Sequence, residues 1–115
     1  MTSKSEVQIV FYYLNNPLAI NQISNSVPEK FKLYQNYPNP FNPKTVISYQ
    51  LSAAGFVTLK VYDVSGREII TLVNEIKTAG SYSVVFDGIN LASGVYFYKL
   101  EVGNFSETKR MMFIK

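Results

Sequence analysis

The sequence predicts an all-β fold, an antiparallel sandwich of short strands preceded by an extended, proline-rich tether. Three observations predict it. Apolar and polar residues alternate in runs spaced roughly 8–12 residues apart, glycine marks the turns between them, and no helical period occurs. A division of composition predicts the tether: all five prolines lie between Pro17 and Pro43, and all six glycines lie at or after Gly55. The run Tyr37-Pro38-Asn39-Pro40-Phe41-Asn42-Pro43 marks the border. Three prolines fix φ and remove three backbone donors, so this run is neither helix nor central strand.

Each element has its own signal. Residues 7–14 (VQIVFYYL) are β-branched and aromatic and read as a strand candidate, closed by Asn15-Asn16-Pro17. Residues 18–32 are polar and aperiodic, which suits a linker. Phe31, Leu33 and Tyr34 are apolar islands able to dock on the sandwich, and Tyr37 and Phe41 are expected on its edge. From 45 to 51, Ile47, Tyr49 and Leu51 share one face; from 56 to 63, Val57, Leu59 and Val61 do. Ser52-Ala53-Ala54-Gly55 and Ser65-Gly66 are turns. Residues 68–73 form a short strand that is apolar on both faces. Residues 81–87 turn Tyr82, Val84 and Phe86 to one side.

The last unit is a hairpin, 95–102 and 105–114, around Gly103-Asn104, a pair that tolerates the positive φ of a two-residue loop. Setting Val102 opposite Phe105 gathers Leu100, Tyr98, Tyr96 and Met111 on the apolar face. It also turns Glu107 and Lys109 inward. Either a bulge shifts the register, or this is an edge strand using charge to block pairing; the edge reading is preferred.

Composition bounds the function. One domain is expected, with about 70 to 85 residues in the globular part. Apolar residues make up 47% and charged residues 17%, enough for a core. The net charge of +3 is spread along the chain, with Lys109-Arg110 adjacent near the end, so no concentrated nucleic-acid surface is expected. No run approaches the ~18 apolar residues of a membrane span. Histidine and cysteine are both absent, which removes the usual general base and zinc ligands. Neither Asp63 nor Asp87 has a second carboxylate at an acid–base spacing, and no phosphate-binding glycine motif occurs. No catalytic, metal or cofactor site is expected. Asp87-Gly88-Ile89-Asn90 reads as a β-turn rather than a calcium loop.

Four blocks carry a family resemblance: 33–44 (LYQNYPNPFNPK), 56–70 with its core VYDVSGRE, 91–98 (LASGVYFY) and 103–115 (GNFSETKRMMFIK). In this order and spacing, residues 31–115 resemble the type A C-terminal sorting domain of the type IX (Por) secretion system of Bacteroidetes-like bacteria. They are also similar to the immunoglobulin-like module of flagellar hook-capping proteins. The resemblance implies an immunoglobulin-like sandwich of about seven strands with a non-catalytic role. It would be a C-terminal signal that carries covalently attached N-terminal cargo through the periplasm and across the outer membrane, to the cell surface or the medium. The implied partners are the translocon, shuttle and sortase components of that system. The family's important positions fall on Gly94, Tyr96, Gly103, Lys109, Arg110 and Lys115. The glycines and Tyr96 also have purely architectural readings, as turn and core residues, and the lysines can be simply solvated.

Cargo of this system needs an N-terminal secretory signal, a pattern that the opening residues do not follow. Residues 1–30 are therefore expected to be a linker or the remnant of a preceding cargo domain. The alternative function is a structural module for assembly or adhesion, forming a homo-oligomer by exchange of a strand carrying Val7, Ile9, Phe11 and Tyr13. A carbohydrate-binding sandwich is disfavoured, because the alternation turns most aromatics inward and Trp is absent.

Overall fold

The computed structural model describes residues 27–115; residues 1–26, including the strand candidate at 7–14, lie outside the described residues. The described residues contain seven strands and no helix: β1 (Lys32–Leu33), β2 (Lys44–Leu51), β3 (Gly55–Tyr62), β4 (Glu68–Lys77), β5 (Gly80–Asp87), β6 (Gly94–Val102) and β7 (Phe105–Phe113). They form two antiparallel sheets. One has the order β1-β2-β5 and the other β4-β3-β6-β7.

Alternation positions the core. Ile47, Leu51, Val57, Leu59, Val61, Tyr98 and Leu100 are fully buried, and Tyr49, Tyr96 and Val102 nearly so. Each comes from the inward half of a period-two strand, as the pattern requires. Strand β4 departs from expectation by running to Lys77 rather than stopping at Val73. Its extension, Asn74 to Lys77, pairs with Thr58 back to Gly55. The ladder to β3 thus overrides the poor strand propensity of Asn and Glu. Two register shifts, between Leu59 and Lys60 and between Val61 and Tyr62, bend β4 relative to β3.

The β6–β7 register runs unbroken from Val102↔Phe105 to Gly94↔Phe113, so no bulge intervenes. Strand β7 lies at the edge of its sheet. Glu107 and Lys109 do point inward, half-buried. Their charges are matched there: Glu107 Oε1 accepts the Leu33 N–H at 3.0 Å, and Glu107 Oε2 lies 3.4 Å from Lys109 Nζ. Inward charge is tolerable because each group finds a partner.

The chain from Phe31 to Pro43 bends at 38–40 and again at 42–43 and lies against the body. Leu33 and Phe41 are core residues, whereas Tyr37 is 80% exposed. The difference accompanies the bridge at Tyr37: its backbone exchanges both hydrogen bonds with Val46, and its ring faces solvent.

Candidate recognition surface

The residues singled out in the sequence gather around the β6–β7 hairpin, and the proline block determines how much of that hairpin is accessible. Phe41 N–H donates to Met112 O (3.0 Å), and Ile114 N–H donates back to Phe41 O (3.1 Å). Asn39 Oδ1 accepts the Met112 N–H at 3.0 Å, and Gln35 Nε2 donates to Arg110 O at 2.7 Å. The Phe41 ring stacks on Phe113 with centroids 5.0 Å apart, and meets Phe86 edge-on at 5.9 Å. The C-terminal half of the β7 edge is therefore occupied by the chain's own proline block. Towards the loop, the outward backbone groups of Ser106 and Thr108 have no partner among the described residues.

A buried polar network holds that block in place. Asn36 N–H donates to the Tyr98 hydroxyl (2.7 Å), which donates in turn to Tyr34 O (2.8 Å). Asn36 Nδ2 donates to Thr45 Oγ1 (3.0 Å) and to Pro38 O (3.1 Å), and Thr45 Oγ1 donates to Pro38 O (2.8 Å). Asn36 and Thr45 are the two buried polar residues among those described. Satisfied networks of this kind fix one geometry, because the unpaired alternative is costly. Burial pushes the Tyr98 phenol up to about 12. Strand alternation does not reveal this network; an Asn immediately before Tyr-Pro and a Thr opening the next strand are its visible traces in the sequence.

The six nominated positions divide by environment. Tyr96 is buried, and its hydroxyl donates to Ala92 O, four residues back, at 2.7 Å. That is the tyrosine-corner arrangement of immunoglobulin-type sandwiches. Gly94 opens β6 opposite Phe113, at φ +154° with open space where a Cβ would stand. Gly103 takes φ +57° in the two-residue loop at the far end of the hairpin. Lys109 is committed to Glu107. Arg110 and Lys115 are exposed, with no ion-pair partner among the described residues. Arg110 is paired with Phe97 on the outer face of the sheet, and Phe97 with Tyr62 on the next strand. The Lys115 backbone N–H is tied to Ser93 Oγ at 2.9 Å. The structure thus brings Gly94, Tyr96, Arg110 and Lys115 towards one end and leaves Gly103 at the other.

The VYDVSGRE core forms the turn from β3 to β4 with the strand ends that flank it. Asp63 Oδ1 accepts from Ser65 N–H (2.9 Å), Ser65 Oγ (2.6 Å) and Arg67 N–H (3.0 Å). The Ser65 hydroxyl, the two amides and the nearby Arg67 charge hold this carboxyl below its usual range. No group of three or more potential metal ligands gathers among the described residues.

The family model described as the secretion system C-terminal sorting domain matches residues 35–115. No curated protein matches the chain.

Proposed function

The chain belongs to the secretion system C-terminal sorting domain family, and from that membership we propose that it directs a covalently attached N-terminal cargo across the outer membrane through the type IX machinery. A domain of this family is a C-terminal secretion-sorting signal. Proteins that carry it are exported to the cell surface or secreted by way of the outer membrane, with the cargo attached and the domain recognised by the type IX system.

The observation that carries the finer reading is the exposure of Arg110 and Lys115 beside the clasped end of β7, without intramolecular ion partners among the described residues. In this reading these two cations meet an acidic surface on the translocon or shuttle. The Ser106–Thr108 stretch of the edge offers backbone groups for strand addition. Gly94, Tyr96, Gly103 and Lys109 contribute by shaping the hairpin. The sortase acts on the chain ahead of the sandwich, where the cargo joins.

Fusing residues 31–115 behind a signal peptide and a reporter, in a bacterium with the machinery, tests this. The reporter is expected at the surface or in the medium. Charge reversal by Arg110→Glu with Lys115→Glu is expected to retain it in the periplasm while leaving the melting temperature nearly unchanged. Periplasmic retention of the unaltered fusion would overturn the proposal. Equal loss of stability and export in the variant would make these residues structural.

A further inference from the structure

Strand β5 forms one edge of the three-stranded sheet, and its far side is open. Gly88 N–H donates to Pro43 O at 2.8 Å, one step beyond the Lys44↔Asp87 pair, which sets the phase of the ladder. Tyr82, Val84 and Phe86 therefore turn their backbone groups to β2, and Ser81, Ser83, Val85 and Asp87 turn theirs away. Those outward groups have no partner among the described residues. From Gly80 to Phe86 the strand has no charge and no proline, so the usual devices that blunt an edge are missing.

This edge is complementary to itself. A two-fold axis beside Val84 sets two copies of β5 antiparallel, with Ser81 opposite the second copy's Asp87 and Ser83 opposite its Val85. Each outward residue then meets an outward residue, so every open backbone group from Ser81 to Asp87 gains a partner. Moving the axis to Ser83 sets Asp87 against Ala79, beyond the end of the strand. The side chains agree with the register. Asp87, the one charge of β5, faces a serine rather than its own copy, so no like charges stand opposite. On the outer face of the sheet Val85 is 57% exposed and its cross-strand neighbour Val46 40%. The axis sets the two Val85 side chains diagonally across from each other, so the two Val46–Val85 rows abut.

We propose that two copies of this chain pair through β5, joining their three-stranded sheets into one continuous sheet of order β1-β2-β5-β5-β2-β1. The neighbouring β4–β5 groove, lined by Asn74, Glu75, Lys77 and Ser83 as well as Tyr82 and Val84, stays open to water, because the pairing is made by backbone groups. The path of the chain suits a second copy. Lys30 O accepts from Gln50 Nε2 at 3.1 Å, and Gln50 is the Cα partner of Ser81. The described chain thus begins near the Ser81 end of β5, and the two-fold sends the two beginnings to opposite ends of the joined sheet. A single ladder of this length falls below the ~1,200 Å² of a standard interface, so the pair is transient and depends on concentration.

Light scattering and amide hydrogen exchange on the full chain test the proposal independently of the secretion reading. The mass is expected to rise towards twofold as the concentration approaches roughly millimolar. Over the same range the Ser81, Ser83 and Val85 amides should slow about threefold or more, whereas those of Ser106 and Thr108, on the open part of the β7 edge, should not. Val85→Lys and Val85→Glu each set like charges across the axis at an exposed position, and each alone should stay monomeric. Their equimolar mixture should pair again, which a structural defect would not do. Should either variant fail to fold, the dilution series on the parent chain still decides. A parent chain that stays monomeric throughout overturns the proposal. So does a dimer that both variants retain, which places the contact elsewhere. Protection of the β5 edge that does not change on dilution also overturns it and assigns the edge to a segment of the same chain.

Discussion

The two flanks of this sandwich are finished in different ways. On one, residues 31–43 lie between β2 and β7 and satisfy the edge from Arg110 to Ile114 with backbone and side-chain hydrogen bonds. On the other, β4 and β5 stand apart over a groove, and the outward groups of β5 are unpartnered among the described residues. The contrast teaches that a small sandwich can close one edge with an irregular strap as effectively as with a strand. Such a strap offers few backbone groups of its own, since three of its residues are prolines and lack a donor. It also borders the end of the terminal hairpin that carries Arg110 and Lys115, which have no ion-pair partner among the described residues.

The sharpest way to break the contrast is to loosen the strap. Phe41→Ala removes a ring that is 1% exposed and packed between Phe113 and Phe86. It should cost about 3–5 kcal/mol in chemical denaturation, the range for a large aromatic deleted from a core. Opening of the β7 edge should follow, as faster exchange at the Met112 and Ile114 amides. Tyr98→Phe comes next, at about 1–3 kcal/mol, because the buried Asn36 N–H and Tyr34 O both lose their partner. This residue also gives the strap an alkaline limit. The folded phenol titrates near 12 rather than 10.0, so its contribution is complete below about pH 10 and lost as pH rises through about 12. Denaturation midpoints across that window should fall less steeply in Tyr98→Phe than in the parent chain.

Much of this was legible in the residues, and the gaps have physical causes. Period-two alternation exposed the inward sets Ile47/Tyr49/Leu51 and Val57/Leu59/Val61, because both sheets have one dry face. The Gly103-Asn104 loop fixed the last register for the same local reason. What local pattern could not show was pairing across long sequence distances. Asn36 meets Tyr98, Asn39 meets Met112, and Phe41 meets Phe113, each across more than 60 residues. The length of β4 was hidden likewise, since Asn74 and Glu75 become strand only through β3. At the candidate surface, the sequence singled out Lys109 and Arg110 together. Alternation alone separates them, one turned in to Glu107 and one out to solvent.

Gly103→Val sharpens the comparison from the loop end of the hairpin, where the strap's contact is the Phe31 ring against Phe105, centroids 5.5 Å apart. At φ +57° a β-branched residue is strained although nothing lies within 4 Å of its Cβ, so the cost is conformational, about 1–3 kcal/mol. If strap and hairpin tip are independent, Gly103→Val and Phe41→Ala should be additive in denaturation. A large coupling between them would mean that the strap's contacts at Phe105 and at Phe113 act as one unit along β7.

The smallest effect belongs to the turn that launches β4 on the open flank. Asp63 is at the surface, and its carboxylate is held below the ordinary aspartate value of 3.8 chiefly by the Ser65 hydroxyl, with the Arg67 and Ser65 amides assisting. A depressed carboxyl stabilises the fold above its unfolded pKa and loses that contribution as pH falls through the folded one. Asp63→Asn keeps the size of the side chain and removes the charge, so it should lower the denaturation midpoint slightly at neutral pH. The gap from the parent chain should close progressively below about pH 4. A gap that persists unchanged into acid would place the value of this residue in turn geometry alone, and the open flank would then hold its edge strand without electrostatic help.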